Sequence, residues 1–135
     1  MQLVEFLTEC LDDDERTARA TEWDGSGNRL SWELAASATI DVGEDEFYAG
    51  DRTIANHVVA HDPARVLREI DAKRRTLERH TPHSSGTADC SVHCERAHPG
   101  VQVCNHDGRR WPCPDALDLT AGYADRPGYR ETWRP

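Results

Sequence analysis

Between His80 and Cys113 the chain carries four of its five cysteines, Cys90, Cys94, Cys104 and Cys113, and most of its seven histidines, with few large apolar side chains among them. Such a segment cannot be held by burying hydrocarbon. Thiolate and imidazole are the ligands of tetrahedral zinc, so the segment is expected to be tied by a structural Zn2+ ion. Zinc commonly takes two ligands from each of two short loops. Cys90 with Cys94 offers one such pair and Cys104 with Cys113 a wider second one, while His80, His93 and His106 are alternates that can displace a cysteine. A site with four protein ligands is closed and holds structure without doing chemistry. Four cysteines can also carry an iron–sulfur cluster, but no ferredoxin-like spacing is present.

The rest of the composition makes such a staple useful. Apolar residues make up 37% and charged residues 30%, against about 25% charged in an ordinary domain, so the expected core is small. No run of about 18 apolar residues occurs, and the acidic start MQLVEFLTECLDDDE is unlike a signal peptide. Both point to a cytoplasmic chain whose thiols are reduced and free to bind metal. The net charge of −9 is uneven: 15 acids and 4 arginines lie up to Asp62, and 10 acids and 12 lysines or arginines after it. An acidic first half serves solubility, or meets a basic protein partner or imitates nucleic acid.

Hydrophobic periodicity gives an α+β chain read as one small domain. Residues 1–22 form an acidic amphipathic helix with Leu3, Phe6, Leu7, Cys10, Leu11 and Ala18 on one face, which makes Cys10 a buried free thiol. The cluster from Asp24 to Asn28 ends it. Residues 29–50 alternate in short antiparallel strands, near Leu30–Ala35, Ala38–Val42 and Glu46–Ala49, with Trp32, Leu34, Ile40 and Phe47 packing the sheet and Trp23 beside it. Residues 53–80 are a helix pair: a short one to Ala60, then a longer one starting at Asp62 and Pro63, an N-cap residue followed by proline at the first helical position. On the longer helix Val66, Ile70, Lys73, Leu77 and His80 form the inward stripe. Residues 81–113 are the Cys/His loop, without periodicity as far as Trp111. Residues 114–135 are a short helix and a tail whose Tyr123, Tyr129 and Trp133 pack back onto the chain.

The stretch HVVAHDPARVLREIDAKRR from His57, the Trp-Pro-Cys ending at Cys113 and the ending YADRPGYRETWRP resemble an uncharacterised family of small actinobacterial and actinophage proteins. That family is defined as a domain of unknown function. Its members share a His-x-x-x-His-Asp-Pro-Ala-Arg-Val-Leu helix start and a terminal Tyr-Ala-Asp-x-Pro-x-Tyr followed by Trp. The resemblance implies a His-plus-three-Cys site on His80, a cysteine pair and the Pro-Cys at Cys113. This chain departs from it by one additional cysteine and by three residues, rather than two, between Cys90 and Cys94. Some members lack the cysteines, which implies a structural metal that other packing can replace.

Two other groupings bear on function. His57 and His61 share a helical face and, with Asp51 and Asp62, suggest a metal-dependent enzyme, although no glutamate follows His57 as in zincins. Arg65, Arg68, Arg75 and Arg79 line the outer face of the long helix and, with Arg109 and Arg110 beside Trp111, could meet phosphate as a nucleic-acid adaptor. Against that, Glu69 with Lys73 and Asp71 with Arg75 have the spacing of a salt-bridged solvent face, and the negative net charge repels a polyanion. The expectation is a small non-enzymatic interaction or regulatory protein with a zinc staple, a protein partner and no membrane contact.

Overall fold

The computed structural model describes residues 1–22, 29–43, 45–88, 90, 94 and 96–135. The architecture is mixed α+β. Among the described residues it holds four α-helices, α1 (Leu3–Ala20), α2 (Arg52–Ala60), α3 (Pro63–Arg79) and α4 (Pro114–Ala121), and a 3-10 turn at Glu131–Trp133. Five short strands, β1 (Glu33–Leu34), β2 (Thr39–Asp41), β3 (Glu46–Tyr48), β4 (Pro82–His83) and β5 (Val103–Cys104), form two sheets. Two compact units result, Leu11–Ala72 and a second made of Met1–Cys10 with Lys73–Pro135. Helices α1 and α3 contribute residues to both. Trp23, the turn cluster from Asp24 to Asn28, and His93 lie outside the described residues.

In the unit Leu11–Ala72, β1, β2 and β3 form an antiparallel meander with Leu34 opposite Ile40 and Ile40 opposite Phe47. Alternation places Ala38, Ile40 and Val42 on its buried face, where they meet Ala55 of α2 and the half-buried Trp32, Leu34, Val58 and Val59. A three-stranded sheet of this size needs that helix to bury its apolar face. Asp51 caps α2 by accepting from Ile54 N at 3.0 Å. Asp62 accepts twice, from Arg65 N in the first turn of α3 at 2.8 Å and from Trp32 N at 3.1 Å. One carboxylate therefore satisfies an orphan helix donor and ties the helix start to the sheet entrance.

In the other unit, Phe6 lies against Trp133 with ring centroids 5.2 Å apart and against Tyr129 at 6.2 Å in an edge-on arrangement. Trp133 and Tyr123 are buried, and Lys73 Nζ sits over the Tyr123 ring at 5.1 Å. The aromatic tail is thus part of the core of this unit. The 81–113 segment, which shows no sequence period, contains a two-stranded antiparallel sheet pairing Pro82 with Cys104 and His83 with Val103. Strands of two residues are too short to leave an alternation in the sequence. Cys10 is buried on α1 and belongs to neither of the side-chain groups described next.

Candidate metal centres

The four cysteines of the segment divide two and two. His83, Cys90, Cys94 and His98 form one group, and His80, Cys104, Asp107 and Cys113 a second, the ligand atoms of each lying within 4.8 Å of one another. The chain order is nested, with the first group lying wholly between His80 and Cys104 of the second. A single site on all four cysteines differs from this arrangement because β4 and β5 bring His83 and Cys104 into neighbouring positions, so each cysteine pair finds its own histidine. Sequence reasoning passed over His83, His98 and Asp107. For His98 alone there was a signal, the regular spacing of Cys90, Cys94 and His98 at steps of four, which also fits other readings. His106 lies tilted against His80, with centroids 4.5 Å apart, and is not in either group.

In the first group, His83 Nε2 lies 3.1 Å from Cys94 Sγ, and His98 Nε2 lies 3.3 Å from Cys90 Sγ and 3.5 Å from Cys94 Sγ. The far nitrogens are both engaged. His98 Nδ1–H donates to the Val101 carbonyl at 2.7 Å, and His83 Nδ1–H donates to Asn105 Oδ1. With the proton fixed on Nδ1, each ring presents an Nε2 lone pair to the thiols, as a metal-ligating imidazole does. Burial and the neighbouring Cys90 push the Cys94 thiol above its ordinary value.

In the second group, His80 Nδ1 lies 3.4 Å from both Cys104 Sγ and Cys113 Sγ, while its Nε2 faces Asp115 Oδ2 at 3.5 Å. This is the carboxylate–histidine order of many metal sites, with Nδ1 as the ligating atom. His80 closes α3, Cys113 is the N-cap residue of α4, and Cys104 ends β5, so three elements converge on one point. Cys104 and Cys113 are inaccessible to solvent. The turn after Cys104 is closed by Gly108 N donating to the Cys104 carbonyl at 3.0 Å and Cys104 N to the Arg109 carbonyl at 2.8 Å, which brings up Asp107. Burial pushes the Cys113 thiol up to about 11, the Ala116 N–H working against it and the Cys104 thiol and the Asp107 charge adding to it. Burial also acts to raise Asp107, but the Arg109 N–H, the Cys104 thiol and the charges of Arg109 and His80 outweigh it and hold the carboxyl low.

Atoms placed about 2.0–2.3 Å from a central zinc at tetrahedral corners are separated by about 3.3–3.8 Å. The nitrogen–sulfur separations of 3.1–3.5 Å in the first group and 3.4 Å in the second fall at or near that spacing. Both groups can therefore hold a metal ion. A groove of about 500 Å³ is lined by Lys73, Thr76, Arg79, His80, Asp115 and Asp118, among others, and by neither cysteine of the second group.

The other candidates are placed differently. His57 and His61 lie side by side with tilted rings, centroids 4.4 Å apart, both exposed, and His61 Nδ1 is bonded to the His57 carbonyl at 2.9 Å. Among the described residues no group of three or more ligands includes them. A groove of about 360 Å³ beside His61 is lined largely by Trp32, Pro63, Val66 and Ala18, with Asp14 as its carboxylate. Arg65, Arg68, Arg75 and Arg79 are exposed along α3. Arg65 is bonded to Glu69 at 2.8 Å and to the Ala60 carbonyl at 2.9 Å, and Arg79 lies 3.4 Å from Thr76 Oγ1.

An α+β chain with two Cys/His groups of metal-binding geometry is what the fold and its side chains define. The chain belongs to a family of unknown function, DUF6221, which matches residues 1–135. No curated protein and no solved structure matches it. Among the described residues no helix is long and apolar enough to cross a membrane.

Proposed function

We propose that this is a non-enzymatic interaction or regulatory protein whose Cys/His segment is held by structural zinc, one ion in each group. The observation that carries the reading is the convergence of four donors per group within 4.8 Å of one another, with the far nitrogens of His83 and His98 hydrogen-bonded and that of His80 facing Asp115. Two thiolates with imidazoles, or with an imidazole and a carboxylate, are a zinc donor set, and neither group offers the four thiolates usual for an iron–sulfur cluster. Four protein donors leave no position for substrate. The groove beside His80 is lined by its Asp115 partner and by neither cysteine of the group, which also favours a structural ion. The metal-enzyme reading through His57 and His61 lacks a third ligand among the described residues, and in the adaptor reading Arg65 is already engaged by Glu69.

The test is metal analysis of the purified full chain by inductively coupled plasma mass spectrometry, together with a Cys94→Ser/Cys113→Ser double variant. About two zinc ions per wild-type chain and none in the double variant are expected. Metal retained in full by the double variant would overturn the reading and direct attention to His57 and His61. Nuclease-free DNA and RNA binding that falls steeply with salt and is lost on charge reversal at Arg75 and Arg79 would favour the adaptor instead.

A further inference from the structure

Asn105 stands between the two groups. It follows Cys104 of the second group, and its amide is engaged at both ends: Nδ2 donates to Thr81 Oγ1 at 2.8 Å, and Oδ1 accepts from His83 Nδ1–H of the first group. Its main-chain N–H donates to the Thr81 carbonyl at 2.9 Å. With the amide nitrogen placed on Thr81 Oγ1, the oxygen faces His83 and can only accept, so the ring nitrogen that meets it carries the proton. His83 is buried, so solvent does not readily replace that acceptor. Neighbouring pairs of one short ladder, Pro82 with Cys104 and His83 with Val103, carry a ligand of each group.

We propose that Asn105 is a positioning residue that couples the two metal centres. The inference rests on the reading that both groups bind zinc. An ion on His80, Cys104, Asp107 and Cys113 fixes the turn from Cys104 to Gly108 and so fixes Asn105 Oδ1. That oxygen holds the proton of His83 on Nδ1 and leaves the Nε2 lone pair aimed at the first group. Zinc in the second group therefore strengthens zinc binding in the first, and by linkage the reverse holds by the same factor. Loss of such an outer partner generally weakens metal binding by about 10–100-fold.

The experiment measures zinc affinities of the full chain by competition with a chromophoric chelator. Cobalt(II) absorption separates the Cys2His2 group from the Cys2His-carboxylate group, and imidazole 15N shifts report the His83 tautomer. Asn105→Ala is expected to weaken the first group by about 10–100-fold and to remove the Nδ1–H preference of His83. Asn105→Asp keeps the acceptor for His83, with the Thr81 hydroxyl able to turn and donate to the second carboxylate oxygen, and is expected to stay within about threefold of wild type. Cys113→Ser, which disables the second group alone, is expected to weaken the first by a factor comparable to that of Asn105→Ala. Unchanged first-group affinity in Asn105→Ala overturns the positioning role, and unchanged first-group affinity in Cys113→Ser overturns the coupling. A wild-type chain that takes up no metal overturns the zinc reading itself, and the coupling with it.

Discussion

Replacing Cys113 by serine removes one thiolate from the second group while leaving the first group chemically intact. Cys113 is fully buried at the N-cap of α4, so its loss acts on stability in two ways. The ion it helped to hold stabilises the folded chain by about 4 kcal/mol when free zinc is about a thousand times its dissociation constant. The serine hydroxyl also takes a site shaped for sulfur, which costs about 1–3 kcal/mol if it finds no partner. At about 3–5 °C per kcal/mol for a chain of this length, the melting temperature should fall by roughly 15–35 °C. The assay is a thermal melt by circular dichroism with and without a chelator. The chelator should lower the wild-type midpoint by at least about as much as the zinc contribution of one group, roughly 12–20 °C, and should lower that of Cys113→Ser by less. Cys10→Ala, at a buried cysteine outside both groups, serves as the control: it should cost about 1–2 kcal/mol and leave metal content unchanged. A Cys113→Ser protein with the full zinc content of wild type, or a wild type whose melt is indifferent to chelation, would refute the reasoning.

Trp133→Ala removes the ring packed on Phe6 and Tyr129 and should cost about 3–5 kcal/mol, seen as a lower urea midpoint; an unchanged midpoint would mean that the tail does not pack. Asp62→Ala removes the acceptor shared by Arg65 N and Trp32 N and should cost about 2 kcal/mol by the same measurement, with less lost in Asp62→Asn. Cys94 and Cys113 both titrate above the ordinary thiol value, so both are protonated at neutral pH and zinc uptake should release at least one proton from each; calorimetry in buffers of different ionisation enthalpy measures the number. For the metal-free protein, Cys113 is raised from 9.0 to about 11 in the folded state, so the unfolded chain ionises first. Its contribution to stability is complete below pH 9 and is lost as pH rises to about 11, which a series of urea midpoints across that range will show.

Legibility followed the range of the interactions. The start of α3 at Pro63 was readable because a capping aspartate and the proline after it act on the adjacent backbone. The inward positions Ile70, Leu77 and His80 were readable because a 3.6-residue period states which side of a helix is buried. The presence of metal-binding side chains was equally plain. Their division was not, since it depends on which loops meet across β4 and β5, a pairing of two residues per strand with no periodic trace. Little in the sequence distinguishes His83 and His98 from histidines of any loop; what marks them as ligand candidates is that their far nitrogens are held by Asn105 and Val101. Asp107 gave no signal because one carboxylate in a turn is common, and only the bonds closing the Cys104 turn bring it to the sulfurs.

The contact of Phe6 with Tyr129 and Trp133 has a consequence for synthesis. A ribosome adds about 5–20 residues per second, so the first helix waits on the order of ten seconds for its aromatic partners to be made. For that interval the apolar stripe through Leu3, Phe6 and Leu7 has no tail to cover it. The nascent chain then carries an uncovered apolar helix face through most of its synthesis, and this unit closes after its early residues have long been made rather than as they emerge.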